Sequence, residues 1–161
     1  MRIFRGAALG LALLAAGCAT TASEATGSRT VQVSTASAAS LNAFREANGR
    51  APLARSAKLQ RAAEAHARDM AQMDRMIHRG SDGSAISDRV KRQGYRFGKV
   101  AENIAKTGRG QARAMQIWID SPPHRSNMLM RDATQYGLAQ SGDYWAMVVA
   151  RPRSSPGLSL A

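Results

Sequence analysis

The chain of 161 residues carries one cysteine, Cys18, so it can form neither an intrachain disulfide nor a thiolate metal cluster. Its 23 Lys and Arg outnumber 11 Asp and Glu, and a formal charge of +12 draws such a chain towards anionic surfaces. Nucleic acid is not the expected partner: the basic residues scattered through 45–113 form no dense run, have no aromatic interleaving and match no recognisable binding motif, and they read equally as a solvated basic face.

Arg2 and Arg5 precede an apolar run from Gly6 to Ala16, the layout of a secretory signal peptide over residues 1–17. The run is too short to span a bilayer, which takes about 20 apolar residues in a helix. Leu14-Ala-Ala-Gly-Cys18 resembles a bacterial lipobox, which implies that the Cys18 thiol is lipidated and anchors the exported chain to a membrane. Removing residues 1–17 takes away two arginines and no acid, leaving 21 basic against 11 acidic residues. Residues 18–39 are mostly Ala, Ser, Thr and Gly, too poor in apolar surface to offset their ordering entropy, and are expected to form a flexible tether. One domain is expected over 40–151, enough chain for a single core, followed by a tail over 152–161 that Pro152 and Pro156 break up.

Within the domain, Leu41 to Ala47 reads as a short helix with Ser40 as N-cap and Gly49 at its end. A longer helix follows Ser56. Leu59, Ala62, Ala63, His66, Ala67, Met70, Met73 and Ile77 recur at three- and four-residue steps, and the helix is expected to end near Met76. Its alanine-rich face allows another element to pack close. His66 falls inside that stripe and reads as a buried, hydrogen-bonded core histidine, whereas His78 follows the helix exit in a turn-rich loop. Ser84 or Ser87 opens another helix through Ile86 and Val90, closed by Gly94, with Asp88 suiting its first turn.

Val100, Glu102 and Ile104 then alternate with Ala101, Asn103 and Ala105, a strand that places Glu102 on the same face as two large apolar side chains. A carboxylate so placed needs a partner. Ala112, Met115, Trp118 and Ile119 mark the apolar side of the next helix. Ser121-Pro122 reads as an N-cap with proline at the first helical position, which puts His124 in a first turn where the helix dipole keeps imidazole neutral. Tyr136 to Gln140 and Tyr144 to Ala150 form a terminal hairpin. The order predicts an α+β domain with a small antiparallel sheet covered by helices. His78, Glu102 and His124 are the groups suited to chemistry. Two imidazoles and a carboxylate serve either as ligands of a divalent metal or as base, orienter and acid.

Taken together, His78 before Gly80-Ser-Asp-Gly83, Gly94-Tyr95, Ala101-Glu-Asn-Ile104, Trp118-x-x-Ser121-Pro-x-His124-Arg-x-Asn-Met-Leu129 and Tyr144-Trp145 resemble, in order, the bacterial branch of the CAP or SCP-like family. The resemblance spans about residues 40–150 and implies a three-layer α-β-α sandwich. It also implies a cleft with two histidines and two acids, often holding zinc or another divalent ion. By position His78 and His124 match the histidines and Glu102 the first acid, while Ser121 stands where the second acid is expected. The implied function is an exported, lipid-anchored domain whose His/Glu cleft binds a lipid-like or other small envelope ligand, with a metal optional. The alternative is a hydrolase, either metal-assisted or using Ser121, His124 and Glu102 as nucleophile, base and orienter. Against the serine chemistry, Ser121 is explained as a helix cap and no Gly-x-Ser-x-Gly elbow is present.

Overall fold

The computed structural model describes residues 30–32 and 35–154; the expected signal peptide 1–17, Cys18 and the tail beyond Ser154 lie outside the described residues. The elements in chain order are β1 (Thr30–Gln32), α1 (Thr35–Ala47), β2 (Ala54–Arg55), α2 (Ala57–Met73), α3 (Ile86–Arg92), β3 (Phe97–Lys106), α4 (Gly110–Asp120), α5 (Pro122–Met128), β4 (Gln135–Ser141) and β5 (Tyr144–Pro152). The expected tether over 18–39 thus overlaps β1 and the first turns of α1, Ser40 lies within α1 rather than capping it, and β5 reaches into the expected tail.

The sheet runs β1-β4-β5-β3, with β2 alongside β4. Its pairs are antiparallel apart from β2–β4. Strand β5 alternates cleanly between two cores. Trp145, Met147 and Val149 pack with Leu41, Met115, Trp118, Met128 and Leu138, while Tyr144, Ala146, Val148 and Ala150 pack with Leu59, Ala63, Ala67, Met70 and Val90. A strand buried on both faces needs apolar side chains on both parities, which is why 144–150 reads as a continuous apolar run. Helices α2 and α3 cover one face and α1, α4 and α5 the other, giving the expected three-layer α-β-α sandwich.

The alanine face of α2 does bring it close to the sheet. A Cβ added at Gly137 of β4 would stand 2.3 Å from the Leu59 carbonyl carbon and 2.4 Å from the Gln60 nitrogen, so glycine is required by the approach of the helix backbone itself. Gln60 uses the same proximity, donating from Nε2 to the Leu138 carbonyl at 2.9 Å and accepting the Leu138 N–H at 3.2 Å. Between β2 at 135–136 and β1 at 139–141, this side chain serves the backbone of Leu138, one of the two residues that neither strand reaches. Gly137→Ala is expected to cost about 1–3 kcal/mol, since backbone cannot step aside as a side-chain tip can. Chemical denaturation of the variant measures this.

Several boundaries differ from expectation for local reasons. Ser56 caps α2, accepting the Leu59 N–H, but the helix stops at Met73 because Asp74 turns left-handed with φ 48°. That carboxylate is then held by Lys106 at 2.8 Å and by the Tyr144 hydroxyl at 2.5 Å. Helix α3 starts after Ala85 rather than Ser84 or Ser87, and Asp88 accepts the Ala85 N–H at 3.0 Å from inside the first turn. Helix α4 buries Ala114, Met115 and Trp118, whereas Ala112, expected on that face, is exposed. Helix α5 starts where Ser121-Pro122 places it, although the Ser121 hydroxyl makes no capping hydrogen bond.

Arg45 was not foreseen as a core residue. It is fully buried, donating from Nη1 to the Met128 carbonyl at 2.6 Å and the Met130 carbonyl at 3.2 Å, and from Nε to Ala51 at 2.8 Å. A cation is favoured against carbonyls at a helix C-terminus, so Arg45 locks α1 onto the end of α5. That contact helps fix the helix carrying His124.

Candidate functional site

Strand β3 is an edge of the sheet, and a cleft of about 400 Å³ straddles it, lined by the loop carrying His78, by Ala85 and Ile86 at the start of α3, by Ala101 and Glu102 of β3, and by Asn127 of α5. Period-two geometry sends the adjacent residues Glu102 and Asn103 to opposite faces, and each organises one wall.

On the α2 side, Glu102 is buried and three elements converge on it. Arg89 of α3 donates from Nη2 to both carboxylate oxygens at 2.9 and 2.8 Å, and His78 Nδ1 lies 3.0 Å from Oε1. Arg89 also donates to the Ser84 carbonyl at 2.8 Å and the His78 carbonyl at 3.1 Å, so it shapes the loop as well as neutralising the acid. Burial pushes the Glu102 carboxyl up, but the hydrogen bond from His78 and the neighbouring His66 and Arg89 outweigh it, and the net direction is down. With Glu102 ionised, Nδ1 of His78 is the donor, and Nε2 is left for other partners on a side chain that is 59% exposed.

On the other side, Asn103 donates to the His124 carbonyl at 3.0 Å and accepts from Asn127 Nδ2 at 2.9 Å, fastening α5 to β3. Trp118 Nε1 donates to the Ile104 carbonyl at 2.9 Å and ties α4 to the same strand. His124 is half-buried, with a buried Nδ1 that has no hydrogen-bond partner among the described residues. Desolvation, with a smaller contribution from His78, lowers its pKa, so it is neutral as expected, with burial as the main cause. Neither His124 nor Ser121 lines the cleft. Glu102 is paired with His78 rather than His124, so the Ser121–His124–Glu102 triad is not assembled.

His66 is fully buried, as expected, but it is not the hydrogen-bonded core histidine that its sequence position suggested. Neither ring nitrogen has a hydrogen-bond partner among the described residues, and Nε2 lies 3.6 Å from Glu102 Oε1, beyond a hydrogen bond. It forms the rear of the site. A resident divalent ion fits this donor set poorly. Both Glu102 oxygens already face a guanidinium, and among the described residues no three His, Cys, Asp or Glu side chains are grouped to hold a metal. His78 and Glu102 come together, while His124 does not join them as a third ligand.

The model of the cysteine-rich secretory protein family, CAP, matches residues 39–148. The chain belongs to the CAP family. Its CAP domain is 29% identical over 106 residues to the uncharacterized protein YkwD of Bacillus subtilis (strain 168), a match spanning 65% of this chain and 41% of that relative. Among solved structures it resembles an extracellular SCP-domain protein of Bacillus anthracis str. Ames, with TM-score 0.70 and 24% identity, over 72% of this chain and 39% of that one. It also resembles an outer surface protein of Borrelia burgdorferi, with TM-score 0.68 and 15% identity, over 79% of this chain and all of the other. At these identities the structural likeness speaks for the CAP fold alone. No helix among the described residues is long and apolar enough to cross a membrane.

Sequence reasoning did not find Arg89, Asn103 or Asn127 as parts of the CAP-domain cleft, and it set His66 aside. Arg89 follows Asp88 on a short helix and reads as surface charge, although only 5% of it is exposed. The one available signal was Glu102 itself, a carboxylate on an apolar face that had to find a cation.

Burial also lowers the His66 pKa, so acid is expected to destabilise the CAP domain well before the carboxylates protonate. Below the unfolded histidine value of about 6.5, the unfolded chain takes up a proton that the folded chain refuses, and stability falls as pH falls. Glu102, shifted down, adds to the loss only below about 4.3. Thermal melts at pH 7.5 and 5.5 should show a lower Tm at the acid end, and a smaller drop in His66→Met, where the His124 contribution remains.

Proposed function

We propose that this CAP domain is an exported binding module, held at the cell envelope through a lipidated Cys18, whose cleft takes the polar head of a lipid-like or other small envelope ligand. The observation that carries the reading is the His78–Glu102 pair. The carboxylate fixes the imidazole through Nδ1 at the edge of the cleft, which leaves Nε2 for a ligand, and Ala85, Ile86 and Ala101 offer apolar surface beside it. A ligand bringing a hydroxyl or amide next to a short apolar segment suits that wall. A divalent ion would bind weakly, since it must compete with Arg89 for Glu102.

The hydrolase reading rests on the same pair, with His78 as general base towards a water and Glu102 as its orienter. It needs no serine.

Native purification followed by mass spectrometry of bound small molecules tests the binding reading. A ligand that co-purifies with the wild type and is lost from His78→Ala, with an unchanged melting curve, supports it. Absence of any ligand, together with ester or amide hydrolysis that disappears in His78→Ala, favours the enzyme. Membrane fractionation in high salt, which screens surface charge and leaves acyl chains inserted, tests the anchor: Cys18→Ala is expected to move to the soluble fraction.

A further inference from the structure

A second concave site lies where the end of α3, the link into β3 and the end of β5 meet, away from the His78 cleft. It is a groove of about 640 Å³ with Lys91, Arg96 and Arg153 around it and the rings of Tyr95 and Phe97 in its wall, and no acidic residue lines it. The Arg153 N–H donates to the Arg96 carbonyl at 2.9 Å, and Phe97 is in register with Pro152, so the two arginines are brought side by side by backbone pairing. On the surface Arg92 is paired with Asp82, Lys99 and Arg151 with Asp132, and Lys106 with Asp74. Lys91, Arg96 and Arg153 have no ion pair among the described residues.

Three unneutralised cations around one groove repel one another, and an anion relieves that repulsion. Two guanidinium forks match the oxygens of a phosphate better than those of a single carboxylate, and the adjoining rings supply flat apolar surface for whatever the phosphate is attached to. We infer that this groove is a binding site for a phosphate-bearing ligand with an apolar portion, separate from the His78 cleft. The phosphate comes either from a phospholipid headgroup or from a free phosphoester.

Calorimetric titration of the full chain with dihexanoyl phosphatidylglycerol below its micelle concentration, and separately with glycerol 1-phosphate, tests the site. At least one of the two is expected to bind. The variant Lys91→Ala/Arg96→Ala/Arg153→Ala should bind about tenfold or more weakly. The control Arg75→Ala/Arg113→Ala/Arg131→Ala, which removes equal charge from other exposed positions, should stay within about twofold. Tighter binding of the lipid, weakened by Phe97→Ser, assigns the source as a headgroup. Tighter binding of glycerol phosphate assigns a free phosphoester. If neither anion binds, or if the loss is not confined to the groove variant, the site is overturned and the charge is a diffuse basic face. All variants are compared at equal melting temperature, and these exposed cations make no side-chain hydrogen bond or ion pair among the described residues that their removal would break.

Discussion

Arg89→Met is expected to cost about 3–5 kcal/mol, because it removes the cation facing a carboxylate that has almost no access to water. The loss has three components. Glu102 keeps its burial but loses its fork, the Ser84 and His78 carbonyls lose a donor, and the loop that presents His78 loses its tie to α3. With Arg89 gone, the Glu102 carboxyl should move up towards neutrality. Adding Glu102→Gln to Arg89→Met should recover part of the stability, since an amide tolerates burial where an unpaired carboxylate does not. Urea denaturation of the two single variants and the double variant gives the coupling directly. Strict additivity would mean that the pair is not coupled in solution. His78 supplies a separate readout: with its loop loosened, ligand retention should fall even in conditions where Arg89→Met remains folded.

Trp118→Ala is expected to be comparably severe, at about 3–5 kcal/mol, through a cavity and the loss of dispersion contacts. Trp118 is fully buried between α4 and the sheet, among Met115, Trp145 and Met147. Its indole N–H also satisfies the Ile104 carbonyl, two residues beyond Glu102. The variant therefore strikes the core and the strand that carries the site at once. Trp118→Phe restores most of the volume without the donor, so the difference in Tm between the two variants separates packing from the hydrogen bond. A melting curve unchanged in Trp118→Ala would contradict the burial of this side chain.

How much of this molecule was legible in advance can be judged residue by residue. The period-two pattern of 100–105 correctly placed Glu102 with Val100 and Ile104 on the α2 side, and the alanine stripe of α2 correctly announced close packing. Ser121-Pro122 marked the start of α5. Strands β1 and β2 were missed because they are three and two residues long and are held by pairing to β4, not by any pattern of their own. Asp74 ended α2 earlier than its apolar periodicity suggested, since a left-handed turn stabilised by Lys106 and Tyr144 depends on residues far along the chain.

The sequence by itself determined the two-sided apolar strands, the helical faces and the motif order, and therefore the layered α-β-α architecture of the family. It also marked Glu102 as a group in need of a partner, because a charged residue on an apolar face carries its own demand for one. Which partner answered was decided only by the tertiary structure. Arg89 reached Glu102 from a helix 13 residues earlier in the chain, His66 came to lie behind it without a hydrogen bond, and His124 stayed outside the lining of the cleft. Periodicity records which face a side chain occupies, whereas the pairing of charges depends on how separate elements meet across space, and local sequence does not encode that meeting.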